Sequence, residues 1–188
     1  MHQEMRVTIE GTTPLLLGNG IAADPSNPAV ILRKEITGKG NKTPADHEEL
    51  ARMDWEISLY LNNGKIVIPG ENFFASIVDG AKKLKQGKDA APGICVMNDA
   101  ILDFPDKHKS IDELYASGKY TFRRMVARKS GRIVAVSPRF NEWRATFNLM
   151  FDDELCSRQN IKEWIGWGGR RSGIGAYRKQ FGKYRLLE

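Results

Sequence analysis

Cysteine is nearly missing from this chain of 188 residues: Cys95 and Cys156 are the only two. They stand far apart, which excludes a disulfide framework or a zinc knuckle as an organising device. Both have apolar neighbours and are expected to be small buried core residues. Histidine is as scarce, at His2, His47 and His108, and no carboxylate cluster has the spacing of a metal site, so neither a metal nor a cofactor is expected. Long apolar runs are also lacking, and none approaches the roughly 20 residues that a bilayer-spanning helix needs. The opening MHQEMRVTIEG has no apolar stretch of the signal-peptide kind, so a cytoplasmic protein without a membrane partner is expected. The last absence is local. WGGRRSGIGAYRKQFGKYRL, residues 167–186, holds six basic side chains, five glycines and four aromatics, and not one acid.

What is present describes an ordinary globular protein, 41% hydrophobic and 28% charged. Its length suits a single domain over residues 1–188. The net charge of +6 is unevenly spread: from Lys119 onward there are 16 Lys and Arg against 6 Asp and Glu, and before it 13 against 17. Such asymmetry points to a polyanionic partner.

MRVTIEG (5–11) alternates Met5, Val7 and Ile9 with polar neighbours and predicts a strand with one buried face. Residues 18–44, rich in Gly, Pro, Asn and Lys, predict a flexible insertion without regular structure. A short helix is expected over 45–53, then a strand carrying Trp55, Ile57, Leu59 and Leu61 into an Asn63-Gly64 hairpin turn and KIVIP. GENFFASIVDGAKKLKQG sets Phe73, Phe74, Ile77, Val78, Ala81 and Leu84 on one helical face, with Gly87 as its stop. Strands follow near Ile94–Met97 and Ala100–Phe104, and Ser110 caps a short helix through Tyr115. YTFRRMVARKSGRIVAVSPR (120–139) reads as a basic β-hairpin turning at Ser130-Gly131. Trp143, Ala145, Phe147, Leu149 and Phe151 then alternate as a half-buried strand. A helix starting near Ser157 buries Ile161, Trp164 and Ile165 and ends at Gly168-Gly169, and FGKYRLL closes as a strand. Two β-α-β halves of this kind predict an α+β fold: a ferredoxin-like, RRM-type antiparallel sheet with two packed helices, inserted β-hairpins and a C-terminal glycine-rich loop.

Mononucleotide loops do not explain that last loop. For a Walker A motif, Gly182-Lys183 is followed by Tyr184 and has Tyr177 where the first glycine belongs. For a Rossmann fingerprint, GIGAYR lacks the final glycine and follows a helix instead of opening one. What survives is a helix-to-strand loop whose glycines bring backbone near phosphates that Arg170, Arg171, Arg178 and Lys179 neutralise. The plainer alternative is that Gly168 and Gly169 cap the helix and the arginines are solvated.

GGRRSGIGAYRKQFGKYRL resembles the C-terminal glycine-rich loop of the RAMP superfamily, the RNA-recognition-fold proteins of CRISPR effector complexes, in which a helix is followed by G-x-x-x-x-G-x-G and a closing strand. IPGENFFASIVDGAKKL is similar to the I-P-G-S-S start of that family's first helix, with Glu71-Asn72 in place of the small polar pair. TTPLLLGN (12–19) resembles the T-P-hydrophobic-hydrophobic-G that follows its first strand. The resemblance covers about a third of the chain, in the family's order. It implies one or two ferredoxin-like units acting on single-stranded RNA, with single-stranded DNA as the other candidate, beside further copies of the chain or other subunits of a ribonucleoprotein complex. The candidate RNA contacts are Gly168, Gly169, Arg170, Arg171, Gly173, Gly175, Tyr177, Arg178 and Lys179 in the loop. In the hairpin, as a thumb or part of a basic groove, they are Arg123, Arg124, Arg128, Lys129 and Arg132.

Some RAMP proteins are metal-independent endoribonucleases that use a histidine as general base. Here His47, in PADHEELAR, is the one histidine to weigh, and a solvated helix face explains it as well; no catalytic residue is assigned. Tyr177 and Tyr184 suit stacking on bases. The expected function is sequence-independent binding of single-stranded, guide-like RNA as a subunit of a CRISPR-type assembly. A guide-processing endoribonuclease of the same fold, or an adaptor protein of a phage or mobile element, are the alternatives.

Overall fold

The structure, a computed structural model, describes residues 1–128 and 131–187, and of Arg128, Gly131 and Arg132 the backbone only. In chain order the elements are β1 (His2–Gly11), β2 (Leu15–Leu16), α1 (Pro28–Thr37), α2 (Pro44–Ile57), β3 (Leu61–Asn62), β4 (Lys65–Ile68), α3 (Gly70–Lys83), α4 (Gly87–Gly93), β5 (Ile94–Val96), β6 (Ala100–Asp103), α5 (Ile111–Ala116), β7 (Thr121–Arg128), β8 (Gly131–Phe140), β9 (Arg144–Asp152), α6 (Arg158–Trp167) and β10 (Tyr184–Leu187). Contacts divide the chain into two compact units: residues 1–16, 61–107 and 140–188, and residues 17–60 with 108–139.

The first unit is built on one antiparallel sheet in the order β10-β1-β9-β6-β4-β3, with β5 also on β9. The period-2 pattern of β1 and β9 sets its register: Val7 pairs with Phe147 and Ile9 with Ala145, so both strands send their apolar residues to one face. There Phe73 stacks on Phe147 with ring centroids 4.2 Å apart, and α3 and α6 bury Ile77, Val78, Ala81, Ile161, Trp164 and Ile165. Within this unit β1-α3-β6 and β9-α6-β10 form two β-α-β halves, with the other elements inserted between them, and the four core strands lie in the order β10-β1-β9-β6. The fold is ferredoxin-like. Its two helices cross backbone to backbone: a Cβ on Gly80 would lie 2.1 Å from the Trp164 carbonyl oxygen, and one on Gly168 would lie 2.4 Å from that of Ser76.

Several sequence expectations hold here. Asn63 and Gly64, at φ 49° and 73°, make the hairpin turn, and Ser157 caps α6 in a reciprocal bond pattern with Asn160. Others are corrected. Helix α3 stops at Lys83, before Gly87, and Lys85 at φ 61° turns the chain into α4. Cys156 is buried, but Cys95 is exposed, because β5 turns it away from the helix-covered face between Ile94 and Val96.

In the second unit, residues 18–44 are not without regular structure. Asn27 accepts a bond from the Ala29 amide, Pro28 occupies the first turn, and α1 follows with Val30 and Ile36 buried. The Arg33 guanidinium grips the Asp54 carboxylate on α2, with Nη2 to Oδ2 at 3.2 Å. Helix α2 also runs past the expected end at residue 53: Ala51, Trp55 and Ile57 are buried along it, and Trp55 Nε1 donates to the Tyr120 carbonyl at 2.9 Å. The alternation of Trp55, Ile57 and Leu59 is thus the end of a helix, not a strand. Strands β7 and β8 pair from Thr121↔Pro138 to Arg128↔Gly131, the hairpin expected over 120–139.

Candidate nucleic-acid interface

The glycine-rich segment leaves α6 through one wide π turn, Gly168–Ser172, and returns to the sheet as β10. It is strapped to itself and to the stretch after β1. The Gly173 amide donates to the Gly168 carbonyl at 2.8 Å, Ile174 to Gly182 at 3.0 Å, Ala176 to Leu16 at 2.8 Å and Gly182 to Pro14 at 2.8 Å. The Lys183 amide donates to Thr13 Oγ1 at 2.9 Å. Two motifs that lie 161 residues apart, about Pro14 and about Gly175, are therefore one structural element. Gly173, Gly175 and Gly182 have φ of 74°, 76° and 69°, and a Cβ on Gly175 would stand 2.3 Å from the Leu16 carbonyl oxygen. Gly168 and Gly169 are buried, the second facing the Tyr184 carbonyl. The glycines are thus used to close the loop, and the amides of Gly173, Ile174, Ala176 and Gly182 are committed inside the protein.

The side chains on this scaffold point the other way. Arg170, Arg171, Tyr177, Arg178 and Lys179 are all exposed, Tyr177 at 49%. Arg170 and Arg171 sit over the Trp167 ring at 5.2 Å and 5.8 Å from its centroid, contacts that restrict two otherwise mobile guanidinium groups. Tyr184, by contrast, is 3% exposed and its hydroxyl is hydrogen-bonded to Ser76 Oγ at 2.8 Å. Burial pushes its phenol far above the usual value, against the pull of the Ser76 bond. Of the two tyrosines considered for stacking on bases, Tyr177 alone is exposed; its ring lies 5.8 Å from that of Phe181.

Lys183, Ser172 and Asp79, none of them among the candidate RNA contacts, tie the loop down. Lys183 Nζ donates to the carbonyls of Arg171 and Ser172 at 2.8 Å and 3.1 Å, capping the end of the π turn. Burial, and then the charge of Arg178, lower its pKa. Ser172 Oγ donates to Asp79 Oδ2 at 3.1 Å, and Lys82 Nζ to Asp79 Oδ1 at 3.1 Å. Burial acts to raise the Asp79 pKa, but the bonds from Lys82 and Ser172 outweigh it and hold the carboxyl below its usual range. The i,i+3 spacing of Asp79 and Lys82 is legible in the sequence; the approach of Ser172, 93 residues later, is not.

On the hairpin, Arg123 is exposed but committed: Nη2 donates to both oxygens of Glu48 at 2.8 Å and 2.9 Å, and Tyr115 donates to the same carboxylate at 2.8 Å. The Arg123 guanidinium, and after it Tyr115, hold Glu48 below the usual carboxylate range. Arg124 is half-buried. Lys129 lies outside the described residues, as do the side chains of Arg128 and Arg132. His47, exposed on α2, shares the lining of an open cavity of about 490 Å³ with Lys42, Arg33, Arg123 and the apolar Val134 and Val136. Among the described residues no group of three or more His, Cys, Asp or Glu is placed to hold a metal ion, and no helix is long and apolar enough to cross a membrane.

No protein-family model and no curated protein matches the chain. Among solved structures it is similar to Cmr6 from Pyrococcus furiosus, at 8% identity over 100% of this chain and 99% of that one, with a TM-score of 0.39. It is also similar to a Cas6 product complex, at 13% identity over 97% of this chain, with a TM-score of 0.28. The chain spans 50% of the length of that Cas6. The ferredoxin-like assignment itself rests on the strand order, not on these matches.

Proposed function

We propose that this chain is a RAMP-type protein that binds single-stranded RNA without regard to sequence, as a cytoplasmic subunit of a CRISPR-type ribonucleoprotein assembly. The observation that carries this reading is the division of labour in the glycine-rich loop. Its glycines and amides close the loop on Pro14 and Leu16, and its exposed surface is Arg170, Arg171, Tyr177, Arg178 and Lys179. Four cations around one exposed aromatic side chain suit a strand whose phosphates are uniform and whose bases all offer a π face. The glycines named as candidate contacts then act through the loop conformation, and the direct contacts are side chains. In the hairpin, the Glu48-bound Arg123 and the half-buried Arg124 contribute less than the loop. Further copies of the chain, or other subunits, extend the site along the strand, since one small domain covers only a few nucleotides. Single-stranded DNA is the competing ligand. Fluorescence anisotropy with labelled RNA and DNA oligomers of unrelated sequence tests the proposal. Arg170→Glu with Arg171→Glu should weaken binding to all of them about equally while the protein stays folded; unchanged affinity removes this loop from the interface.

A second reading has one observation in its favour. His47, Lys42, Arg33 and Arg123 line one cavity, and a histidine beside cations is the equipment of metal-independent RNA cleavage, with the histidine as general base toward a ribose hydroxyl. Discrete RNA fragments formed without added metal, and lost in His47→Ala, would select it.

A further inference from the structure

The acid-free loop has an acid beneath it. Asp79, on α3, is 37% exposed and receives Lys82 Nζ at 3.1 Å on one oxygen and Ser172 Oγ at 3.1 Å on the other. Arg178 Nη1 lies 3.9 Å from that second oxygen and 3.5 Å from Ser172 Oγ. An ammonium, a hydroxyl and a guanidinium thus converge on one partly solvated carboxylate. This donor set is the one a phosphodiester would use, two cations and a neutral hydroxyl around a pair of oxygens. Lys82 and Arg178 stay 62% and 45% exposed, so both reach solvent from the same place.

The geometry points to a phosphate subsite formed by Lys82, Ser172 and Arg178, with the Asp79 carboxylate as its built-in occupant and competitor. This rests on the binding role proposed above and adds to it two residues, Lys82 and Ser172, and a device. In the free protein Asp79 neutralises part of the basic surface and holds Arg178 inward. A bound strand must draw Arg178 and Lys82 from Asp79 and tolerate its charge, so Asp79 keeps affinity for stray polyanions down. Nothing forms or breaks covalently; the exchange is one anion for another at the same donors. Lys183, committed to the carbonyls of Arg171 and Ser172, stays in place throughout.

The test is binding of a labelled single-stranded oligouridylate to the full chain as wild type, Asp79→Asn, Arg178→Ala and the double variant. One unit charge about 4 Å from a phosphate in water changes affinity about fivefold. Asp79→Asn should therefore bind about fivefold tighter, with a log-affinity against log-salt slope steeper by roughly 0.7 for each cation released. Arg178→Ala should weaken the wild type by the loss of one phosphate contact, flattening its salt slope by roughly 0.7, and should remove most of the gain in the double variant. Asp79→Ser, which also lacks the carboxylate, should show the same tightening, so a folding defect peculiar to the Asn variant would not decide the matter. Wild-type protein that fails to bind at all overturns the binding role. Wild-type binding that both Asp79 variants leave unchanged or weaken overturns the competitor alone, and makes Asp79 a mere support for Arg178.

Discussion

The sharpest structural test concerns Gly80. In a solvated helix interior, replacing glycine by alanine stabilises by about 1 kcal/mol, because alanine loses less backbone freedom on folding. Here the added Cβ would be placed 2.1 Å from the Trp164 carbonyl oxygen and 2.5 Å from the Gly168 amide nitrogen. Ordinary contacts begin at about 3.5 Å, and both neighbours are backbone, which cannot swing aside as a side chain can. Helices α3 and α6 must part by more than 1 Å, on the order of the shortfall in that contact distance. The parting loosens the packing of Ile77, Ile161, Trp164 and Ile165, all at 0–1% exposure. Overpacking of this sort costs about 1–3 kcal/mol before the lost side-chain contacts are added. With the helix gain subtracted from the upper end of that range, Gly80→Ala should lose about 2 kcal/mol, a fall in Tm on the order of 4–8 °C for a chain of this size. Urea unfolding followed by circular dichroism measures it. A variant as stable as the wild type, or more so, would refute the backbone crossing, and with it the packing role of Gly168.

Two further outcomes follow from the site. Tyr184→Phe should cost about 1–3 kcal/mol of stability, because Ser76 Oγ is left in a buried position without that partner, yet leave RNA binding intact. Tyr177→Ala should do the reverse, losing about 1–3 kcal/mol of binding with little change in unfolding. In the second unit, Lys39 first, then the Thr43 amide and hydroxyl, hold Asp46 far below the ordinary carboxylate range. A depressed native pKa gives stability that is complete above the unfolded value near pH 4 and drains away as pH falls below it. Urea unfolding from pH 7 to pH 3 should show that loss, and Asp46→Asn should flatten this part of the profile; equal acid slopes would contradict it.

Strands β1 and β9, helices α3 and α6 and the Asn63-Gly64 turn are legible in the sequence because in each a local signal and the tertiary demand agree. Period-2 burial matches a sheet covered on one face, and an apolar stripe matches a helix lying on it. Helix α1 was obscured by the Gly, Pro, Asn and Lys around it, although Asn27-Pro28 is a legitimate start. Trp55 and Ile57 alternate like a strand, and what settles them as helix is the non-local bond from Trp55 to Tyr120. In the candidate site, the charge and aromatic content of the loop were legible, but the use of its glycines was not. Whether a glycine approaches a ligand or its own backbone depends on what the chain folds against it, here Pro14 and Leu16. For the same reason Tyr177 and Tyr184 look alike in sequence and differ completely in exposure.

The salt dependence of single-stranded RNA binding tests the role of the glycine-rich loop most directly. Four exposed loop cations, Arg170, Arg171, Arg178 and Lys179, should give a slope of log affinity against log salt of about −3, at roughly 0.7 per phosphate contact. Reversing Arg170 and Arg171 should flatten it to about −1.5, by the same amount for unrelated sequences. A slope that is unchanged in the double variant, or a wild-type affinity indifferent to salt, would contradict the proposal that this loop holds the strand.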